Sequence, residues 1–459
     1  MRVAGDGRGV RHRAVLLTPR TRAGGGRVRS IFRVKNRPVG VYRGARCAQS
    51  GAMGIFARNV RVGVGVLGAG TLLVVTACGG EDATGHRPDG SPPPSGPPPA
   101  GLEVREVAGG LEHGWGVGFL PEGGLLVTER PGRLTLVSGT EPGATTTEVD
   151  ADLSDVFVEG EGGLMDLVVH EDFAETRRFT TCQTHQDADG TPVDVRLVTW
   201  RLDDDGGSAD RVADPLLHGL PISDSGRHSG CRLALDGTGA LLVGTGDAAR
   251  PDTSQDLTSL GGKVLRLDLA TGGPAEGNPF ADADDAARRL VLTYGHRNVQ
   301  GVAPRPGGDQ VLVAEHGPDV DDEVNLLEPG ANYGWDPSRG GAREDYDESV
   351  PMTDRERFPD AVPAAWSSGP TTEALCDAVF LHGEQWGPFD GMVAVTALRG
   401  SKLLLFELDE AGAVTGMTVP PELDGTHGRL RAADLGPDGA LYLTTSNGED
   451  DHVLRVSPA

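Results

Sequence analysis

An imidazole and a carboxylate stand one predicted hairpin apart near the middle of this chain. His228 lies in the run GRHSGCR (226–232), and Asp247 follows the strand pattern that begins there. A carboxylate can hold the tautomer of a neighbouring imidazole, which can then take a proton from a bound hydroxyl group. The alternative is an ordinary loop histidine and a turn aspartate, and the spacing alone leaves both interpretations open.

Two other segments concentrate positive charge and amide groups. Arg297 and Asn298 belong to the run YGHRNVQG (294–301), whose composition suits an anionic, carbonyl-rich ligand. Arg429 and Arg431 are two residues apart, so they share one face of a predicted strand and need anions to offset their repulsion. Both patterns are also compatible with a polar corner and with arginines paired to surface carboxylates.

An acidic segment contains a turn that can expose backbone carbonyls. The run EHGPDVDDE (315–323) includes the pair Gly317-Pro318. Carbonyl and carboxylate oxygens are the ligands that Ca²⁺ prefers, although this run lacks the spacing of an EF-hand loop. The sequence shows no paired His or Cys motif of the kind that holds zinc.

The elements that must position these residues repeat one pattern: an apolar strand, a Gly-containing turn, a second apolar strand and a polar corner. Six such units occur, at 116–137, 163–183, 231–247 with 262–268, 301–318, 389–409, and 430–448 with 452–457. Each small sheet needs neighbours on both faces, so we predict an all-β fold, a six-bladed β-propeller, with an open β-solenoid as the alternative. In a propeller the second strands would all end at one mouth of the central channel. No Gly-rich nucleotide loop follows a strand, which argues against nicotinamide and ATP chemistry.

Charge is divided unevenly along the 459 residues. Residues 1–77 carry about +14, whereas the remainder carries a net charge of −39. A surface that acidic repels nucleic acid and anionic lipid, so we expect neither as a partner of the folded part.

The N-terminal region is typical of export and attachment signals rather than of a domain. Residues 1–52 are Arg- and Gly-rich without apolar periodicity, and we interpret them as a non-native or disordered extension. Residues 53–77 combine two arginines with an apolar run too short for a comfortable membrane span, followed by Cys78. This arrangement resembles a bacterial lipoprotein signal, which implies a lipid anchor on Cys78 and an extracytoplasmic location; an ordinary secretory signal is the alternative. Residues 78–101 are predicted to be a Gly/Pro-rich tether and residues 102–459 the propeller domain.

Export permits disulfide bonds, and three cysteines lie in the predicted domain. Cys182 ends one strand pattern and Cys231 begins another beside His228, which favours a Cys182–Cys231 bridge. Three free buried thiols, with Cys376 as the third, are the alternative.

Several long segments together resemble one enzyme family. The runs YGHRNVQG, EHGPDVDDEVNLLEPGANYGW, EGEGGLMDLVVHEDF, TERPGRL and GRHSGCRL are similar, in the same order, to those of soluble glucose and aldose sugar dehydrogenases that depend on pyrroloquinoline quinone (PQQ). The resemblance spans residues 102–459 and favours the aldose sugar dehydrogenase branch. It implies a six-bladed propeller that uses PQQ and Ca²⁺ to oxidise aldose sugars at C1 to lactones, with a quinone or small carrier as the electron acceptor.

The resemblance also implies roles for individual residues. His228 matches the general base that takes the proton of the sugar C1 hydroxyl while hydride passes to the quinone, and Asp247 matches its orienting partner. The carbonyls of Gly317 and Pro318 would share Ca²⁺ with the cofactor, and the ion would polarise the quinone carbonyl. PQQ carries three carboxylates, and the family's positions that bind it match Arg297, Asn298, Arg429 and Arg431.

The sequence departs from the glucose-oxidising branch at several positions. A Gln that contacts the cofactor is Glu161, a Gln before the Gly-Pro pair is His316, and a Lys near the cofactor aligns with Arg399. A Trp and a Thr over the cofactor align with Trp366 and Ser368. Glu161 and His316 favour the aldose sugar dehydrogenase branch, whose site is more open and less selective. Glu161 would also add a negative charge beside a trianionic ligand.

Two other functions remain open from the sequence. A non-catalytic propeller could bind glycans or a partner protein at the cell surface, but it would not need both a His/Asp dyad and a basic pair at one mouth. A Ca²⁺-dependent propeller lactonase would need several carboxylates on the metal and no cluster of arginines.

Overall fold

A computed structural model describes residues 101–338 and 346–459, which form six mainly antiparallel sheets. The predicted six-bladed β-propeller is confirmed. Helix in the described part of the chain is limited to α1 (Phe173–Thr176) and three 3-10 turns at Arg288–Leu290, Glu384–Phe389 and Pro421–Leu423.

The strands follow the chain from blade to blade, and the first strand lies nearest the central channel in every blade except blade 2, where a short outer strand precedes it. Before blade 1 comes β1 (Leu102–Leu111). Blade 1 comprises β2 (Gly114–Phe119), β3 (Leu125–Glu129), β4 (Arg133–Val137) and β5 (Thr146–Glu148). Blade 2 comprises β6 (Asp150–Ala151) at its outer edge and then β7 (Leu164–Val169), β8 (Arg178–Gln186), β9 (Pro192–Leu202) and β10 (Ser208–Leu220). Blade 3 comprises β11 (Gly230–Leu235), β12 (Leu241–Thr245), β13 (Lys263–Leu267) and β14 (Val291–Tyr294).

The second half of the ring repeats this arrangement. Blade 4 comprises β15 (Val299–Pro304), β16 (Val311–Glu315), β17 (Glu323–Leu326) and β18 (Trp366–Ser367). Blade 5 comprises β19 (Leu375–Phe380), β20 (Val393–Ala397), β21 (Lys402–Leu408) and β22 (Val414–Thr418). Blade 6 comprises β23 (Leu430–Leu435), β24 (Leu441–Thr445) and β25 (Asp451–Pro458), with β1 as its outermost strand.

The ring is closed by pairing the start of the domain with its end. β1 runs antiparallel to β25, with Leu102 opposite Pro458 and Val104 opposite Val456. The repeat pattern did not predict this pairing of β1 with blade 6. It also placed the start of the fifth unit at residue 389, whereas the inner strand β19 lies before that residue. Closure by the chain ends covers the outer edge of β25 with β1, which completes the four strands of blade 6.

The hairpins within each blade have a local cause in turn chemistry. Between β11 and β12, the carboxylate of Asp236 accepts hydrogen bonds from the backbone N–H groups of Thr238 and Ala240, 2.8 and 3.1 Å away. Gly239 then adopts a φ of +79°, which glycine tolerates without a steric cost. Such a turn fixes the register of the hairpin. The residues just before β11 therefore lie beside the residues just after β12.

One guanidinium group links five blades across the central channel. Arg232 of β11 lies 3.0 Å from the carboxylates of Asp166 on β7 and Asp377 on β19. Its Nε donates to the Gln300 carbonyl of β15 at 2.8 Å, and its plane lies over the ring of Trp115 on β2. The channel is therefore closed by an ion-pair network below the mouth where His228 and Asp247 lie.

The predicted N-terminal extension, lipoprotein signal and tether, and the predicted anchor Cys78, lie outside the described residues. Within residues 101–338 and 346–459, no helix is long and apolar enough to cross a membrane.

Candidate active site

The predicted dyad is assembled by the hairpin of blade 3. His228 comes just before β11 and Asp247 just after β12, and the register of Gly230 opposite Thr245 places them at the same end. The His228 Nδ1 atom lies 2.7 Å from Asp247 Oδ1, and both side chains are buried, at 3% and 0% exposure. An imidazole that donates Nδ1–H to a carboxylate keeps Nε2 as its basic nitrogen. The pair can therefore accept a proton from a hydroxyl group bound at the mouth.

Asp247 is held by donors that the sequence did not predict. Its Oδ2 atom accepts the indole N–H of Trp335 at 2.8 Å and the Tyr346 hydroxyl at 2.7 Å, and its Oδ1 atom accepts the Ala249 N–H at 2.8 Å. Burial alone would raise the pKa of Asp247, but His228, the Tyr346 hydroxyl and the charge of Arg297 outweigh it and lower the pKa below its ordinary value. Asp247 thus stays ionised and orients the imidazole.

Glu161 belongs to the same mouth. It approaches from the loop before β7, and its Oε2 atom accepts the side-chain N–H of Asn298 at 2.9 Å. Burial opposes its ionisation, but the His228 and His316 imidazoles lower the pKa of Glu161 below its ordinary value. Asn298 in turn accepts the Gly230 N–H at 3.1 Å, so it links Glu161 to the start of β11.

Arg297 faces the Gly-Pro turn. One Nη atom donates to the His316 carbonyl at 2.7 Å, and the other donates to Glu348 at 2.7 Å. Glu348 also accepts from Arg227, which places a single carboxylate between two guanidinium groups at the mouth. The sequence analysis did not identify Glu348, Tyr346 or Trp335 as functional; for Trp335 the run ANYGW was the available signal.

A second group of cationic side chains lies at the mouth and belongs to blades 1 and 6. Arg431 of β23 is buried, at 6% exposure, and its Nη1 atom lies 3.4 Å from the Gln300 side chain. Arg429 is exposed and donates to the Ser446 carbonyl. Arg130 follows β3, and burial together with the charges of Arg431 and Arg429 lowers the pKa of Arg130. Three guanidinium groups that repel one another form a site where an anion would be stabilised.

Three residues from the resemblance occupy less central places. Arg399 is exposed and lies 3.4 Å from Asp319, beside the Gly-Pro turn. Trp366 lies in the outermost strand of blade 4 and packs edge-on against Phe406 of blade 5, and its place over a cofactor stays a prediction. Ser368 accepts the backbone N–H of Asp322 and supports the turn from below.

The turn at Gly317-Pro318 is shaped by one buried carboxylate. Asp322 accepts the N–H groups of Gly317 and Ala374, both at 2.8 Å. A Cβ atom at Gly317 would lie 2.1 Å from the Val320 carbonyl, so the turn requires glycine. The Gly317 carbonyl accepts from His316 Nδ1 at 2.5 Å and keeps a second lone pair. Burial lowers the pKa of His316, which favours its neutral form.

The predicted Cys182–Cys231 disulfide is present, with a Cα–Cα distance of 6.1 Å. It joins β8 of blade 2 to β11 of blade 3, directly after the His228 turn. Cys376 is a free, buried thiol.

Comparison with known proteins places this geometry in a family. Residues 111–455 match the glucose/sorbosone dehydrogenase family. The chain belongs to this family. It is 30% identical to the aldose sugar dehydrogenase YliI of Escherichia coli K12 over 361 residues, 76% of this chain and 91% of that protein. It is 29% identical to quinoprotein glucose dehydrogenase B of Acinetobacter calcoaceticus over 260 residues, half of each chain.

Solved structures agree with this family assignment. The PQQ-bound aldose sugar dehydrogenase of Streptomyces coelicolor is 30% identical, with a TM-score of 0.60 and coverage of 79% of this chain and 99% of that one. The apo form of the Escherichia coli aldose sugar dehydrogenase is 28% identical, with a TM-score of 0.66 and coverage of 78% and 100%. The predicted resemblance is confirmed, and so is the assignment of the chain as an oxidoreductase of the quinoprotein sugar dehydrogenase type.

The donors at the mouth of this family member suit a polyanionic cofactor. At this mouth, the buried guanidinium Nε atoms of Arg130, Arg297 and Arg431 have no hydrogen-bond partner among the described residues. Unpaired buried donors are costly unless a ligand or water satisfies them. In the described ranges, no group of three or more His, Cys, Asp or Glu side chains is arranged to hold a metal ion. The carbonyls of Gly317 and Pro318 stay the predicted ligands.

Proposed function

We propose that this protein oxidises the C1 hydroxyl of aldose sugars to the lactone, with PQQ as the cofactor and His228 as the general base. The observation that carries the proposal is the shared location, at one mouth, of the His228–Asp247 dyad and of guanidinium groups whose buried Nε atoms have no partner. Family membership supports it, because the Streptomyces coelicolor relative is described as PQQ-bound.

The residues of the chain divide the work. Arg297, Arg429 and Arg431 would bind the carboxylates of PQQ, with Asn298 beside them and Arg399 at the rim. The carbonyls of Gly317 and Pro318 would hold Ca²⁺. When bound, PQQ and Ca²⁺ would together supply a two-electron acceptor, polarised by the metal, for the hydride of C1.

The proton is handled by the dyad. His228 Nε2 would accept the proton of the C1 hydroxyl, and Asp247 would stabilise the imidazolium that forms. Trp335 and Tyr346 keep Asp247 in place, since both donate to the oxygen that does not face His228. Glu161, held by Asn298, adds negative charge beside the dyad.

Reconstitution tests the proposal. Purified protein free of cofactor would be titrated with PQQ and Ca²⁺ while the cofactor absorbance is followed, and aldose-driven reduction of an artificial dye would be measured over a panel of sugars. We expect a spectral shift at one equivalent of PQQ and dye reduction that needs both additions. No shift and no reduction with any sugar would contradict the proposal and favour a non-catalytic binding propeller.

We further propose an extracytoplasmic, lipid-anchored location, with a quinone or small carrier as the electron acceptor. The signal-like run before Cys78 supports the anchor, and the Cys182–Cys231 disulfide is consistent with export. Labelled palmitate should enter the wild-type protein in bacterial cells and should not enter a Cys78→Ser variant; equal labelling would contradict the anchor.

A further inference from the structure

A buried lysine lies beneath the loop that carries the dyad. Lys263 begins β13 and is fully buried, at 0% exposure. Its Nζ atom donates to the carbonyls of Thr253, Ser254 and Gly261 at 2.8, 3.0 and 2.7 Å. An ammonium group has three N–H donors, so this arrangement satisfies all of them with backbone oxygens. The geometry is that of a small monovalent cation coordinated by carbonyls.

The three carbonyls belong to one loop, residues 247–262, which follows Gly246 in the connection from β12 to β13. Asp247 is the first residue of this loop. Because buried carbonyls need donors, the loop can keep this fold only if something positive or donating fills the space between them. Lys263 provides that group from the strand that follows.

The same loop supports the segment that carries Arg297. The Ser254 carbonyl also accepts the Gly295 N–H at 3.0 Å, and the Ser254 hydroxyl donates to the His296 carbonyl at 2.6 Å. The Asp247 N–H donates to the Arg297 carbonyl at 2.9 Å. The distance between the dyad and the Arg297 segment therefore depends on the loop above Lys263.

We propose that Lys263 is a positioning residue of the active site, a built-in cation that holds loop 247–262 against residues 295–297. This role rests on the proposed function, in which Asp247 orients the base and Arg297 binds the cofactor. Lys263 touches neither group and acts through the loop.

Titration supports the assignment of charge. Burial lowers the pKa of Lys263 to about 7, and the carboxylates of Asp256 and Asp247 oppose that shift. Below pH 7 the ammonium form offers three donors to three carbonyls. A neutral amine offers only two, so one of the three carbonyls loses its hydrogen bond from the lysine.

The first test compares Lys263→Met with Lys402→Met. Lys402 is a matched control because it is partly buried and pairs with Glu373 at 3.2 Å, away from the loop. We expect Lys263→Met to lower kcat at least tenfold with KM for the sugar within threefold, and the control to change neither by more than twofold. A Lys263→Met enzyme whose kcat stays within twofold of the wild type would overturn the proposal.

Chemical rescue separates positioning from general stabilisation. Lys263→Ala removes the ammonium group and leaves room for a small cation. Methylammonium should raise its kcat at least fivefold at pH 6, whereas tetramethylammonium at the same ionic strength should not, because it has no N–H to donate. Equal effects of the two ions would overturn the built-in cation.

A measurement on cofactor-free protein keeps this test independent of sugar oxidation. In Lys263→Met the backbone N–H groups of Asp247, Ala249 and Gly262 should exchange with solvent at least tenfold faster, and in Lys402→Met they should not. Unchanged exchange would refute the role of Lys263 even if the protein oxidises sugars. Faster exchange in Lys263→Met, together with no sugar dehydrogenase activity in the reconstituted wild type, would refute the proposed function alone.

If Lys263→Met does not fold, the proposal can still be tested on the wild-type protein. The chain has three lysines, at 35, 263 and 402, so ¹⁵Nζ-lysine labelling gives three assignable signals. At pH 6 the Lys263 ammonium protons should exchange slowly with solvent. Fast exchange at that pH would show that the three carbonyls do not hold the group, and the proposal would fail.

Discussion

Replacing Arg232 with methionine should destabilise the propeller severely and in a pH-dependent way. The change removes the partner of Asp166 and Asp377, whose carboxylates lie 3.0 Å from the guanidinium, and leaves both acids buried. Breaking a buried ion pair by removing one partner costs about 3–5 kcal/mol. Loss of the hydrogen bond to the Gln300 carbonyl adds about 1 kcal/mol. The expected loss in free energy of unfolding is therefore about 4–6 kcal/mol at pH 8.

The pH dependence follows from the carboxyl groups of the channel. Burial raises the pKa of Asp377 to about 7 and that of Asp434 to about 8 even with Arg232 present. A carboxyl whose pKa is higher in the folded than in the unfolded chain binds its proton more tightly when folded. Its contribution to stability is therefore present at low pH and is lost as the pH rises toward the folded value. Removing Arg232 raises the folded pKa values further, so the loss should be smaller at pH 5 than at pH 8.

Urea unfolding, followed by tryptophan fluorescence at pH 5 and pH 8, measures both effects. Lys402→Met serves as the control, since a partly exposed ion pair is worth about 1 kcal/mol or less. Adding Asp166→Asn and Asp377→Asn to Arg232→Met should recover much of the loss, because no charge is then stranded. A loss below 1 kcal/mol at pH 8, or equal losses at the two pH values, would refute the channel network as described.

Three further predictions address the site and its support. Tyr346→Phe should lower kcat about tenfold with an unchanged Kd for PQQ, because Asp247 loses a hydrogen-bond donor that does not touch the cofactor. Steady-state kinetics and cofactor titration measure these two constants, and a wild-type kcat would contradict the prediction. Gly317→Ala should weaken Ca²⁺ and PQQ binding at least tenfold, since its Cβ cannot fit in the turn; metal analysis of the reconstituted protein that shows full occupancy would count against the turn as the metal site. Replacing Cys182 and Cys231 with serine should lower the free energy of unfolding by about 4 kcal/mol. This is the chain-entropy value for a crosslink that spans 49 residues. A loss below 1 kcal/mol in urea unfolding would show that the bridge does not constrain the unfolded chain.

The fold could be predicted from the sequence because its signals are local. Apolar strands joined by turns such as that at Asp236 recur along the chain, and only a closed ring covers both faces of every sheet. The exchange of β1 into blade 6 was not predictable in this way, since it depends on a pairing between residues more than 300 positions apart. The early position of β19 was missed because LCDAVF carries a polar residue in mid-strand, whose carboxylate faces Arg232 in the channel.

The site was predictable where residue type and register coincide. His228 and Asp247 flank one hairpin, so their contact follows from strand pairing alone. Trp335 and Tyr346 reach Asp247 from a long connection within blade 4, and no periodicity indicates where such a segment returns.

The most direct test of the account is the rate at which a sugar reduces PQQ bound to His228→Gln. Stopped-flow absorbance of the reconstituted variant would report this step without the electron acceptor. If His228 is the base, the Kd for PQQ should stay within threefold of the wild type while reduction slows at least about 100-fold, the usual range for loss of a general base. Reduction at the wild-type rate, with the cofactor fully bound, would contradict the central claim that this imidazole takes the proton of the C1 hydroxyl.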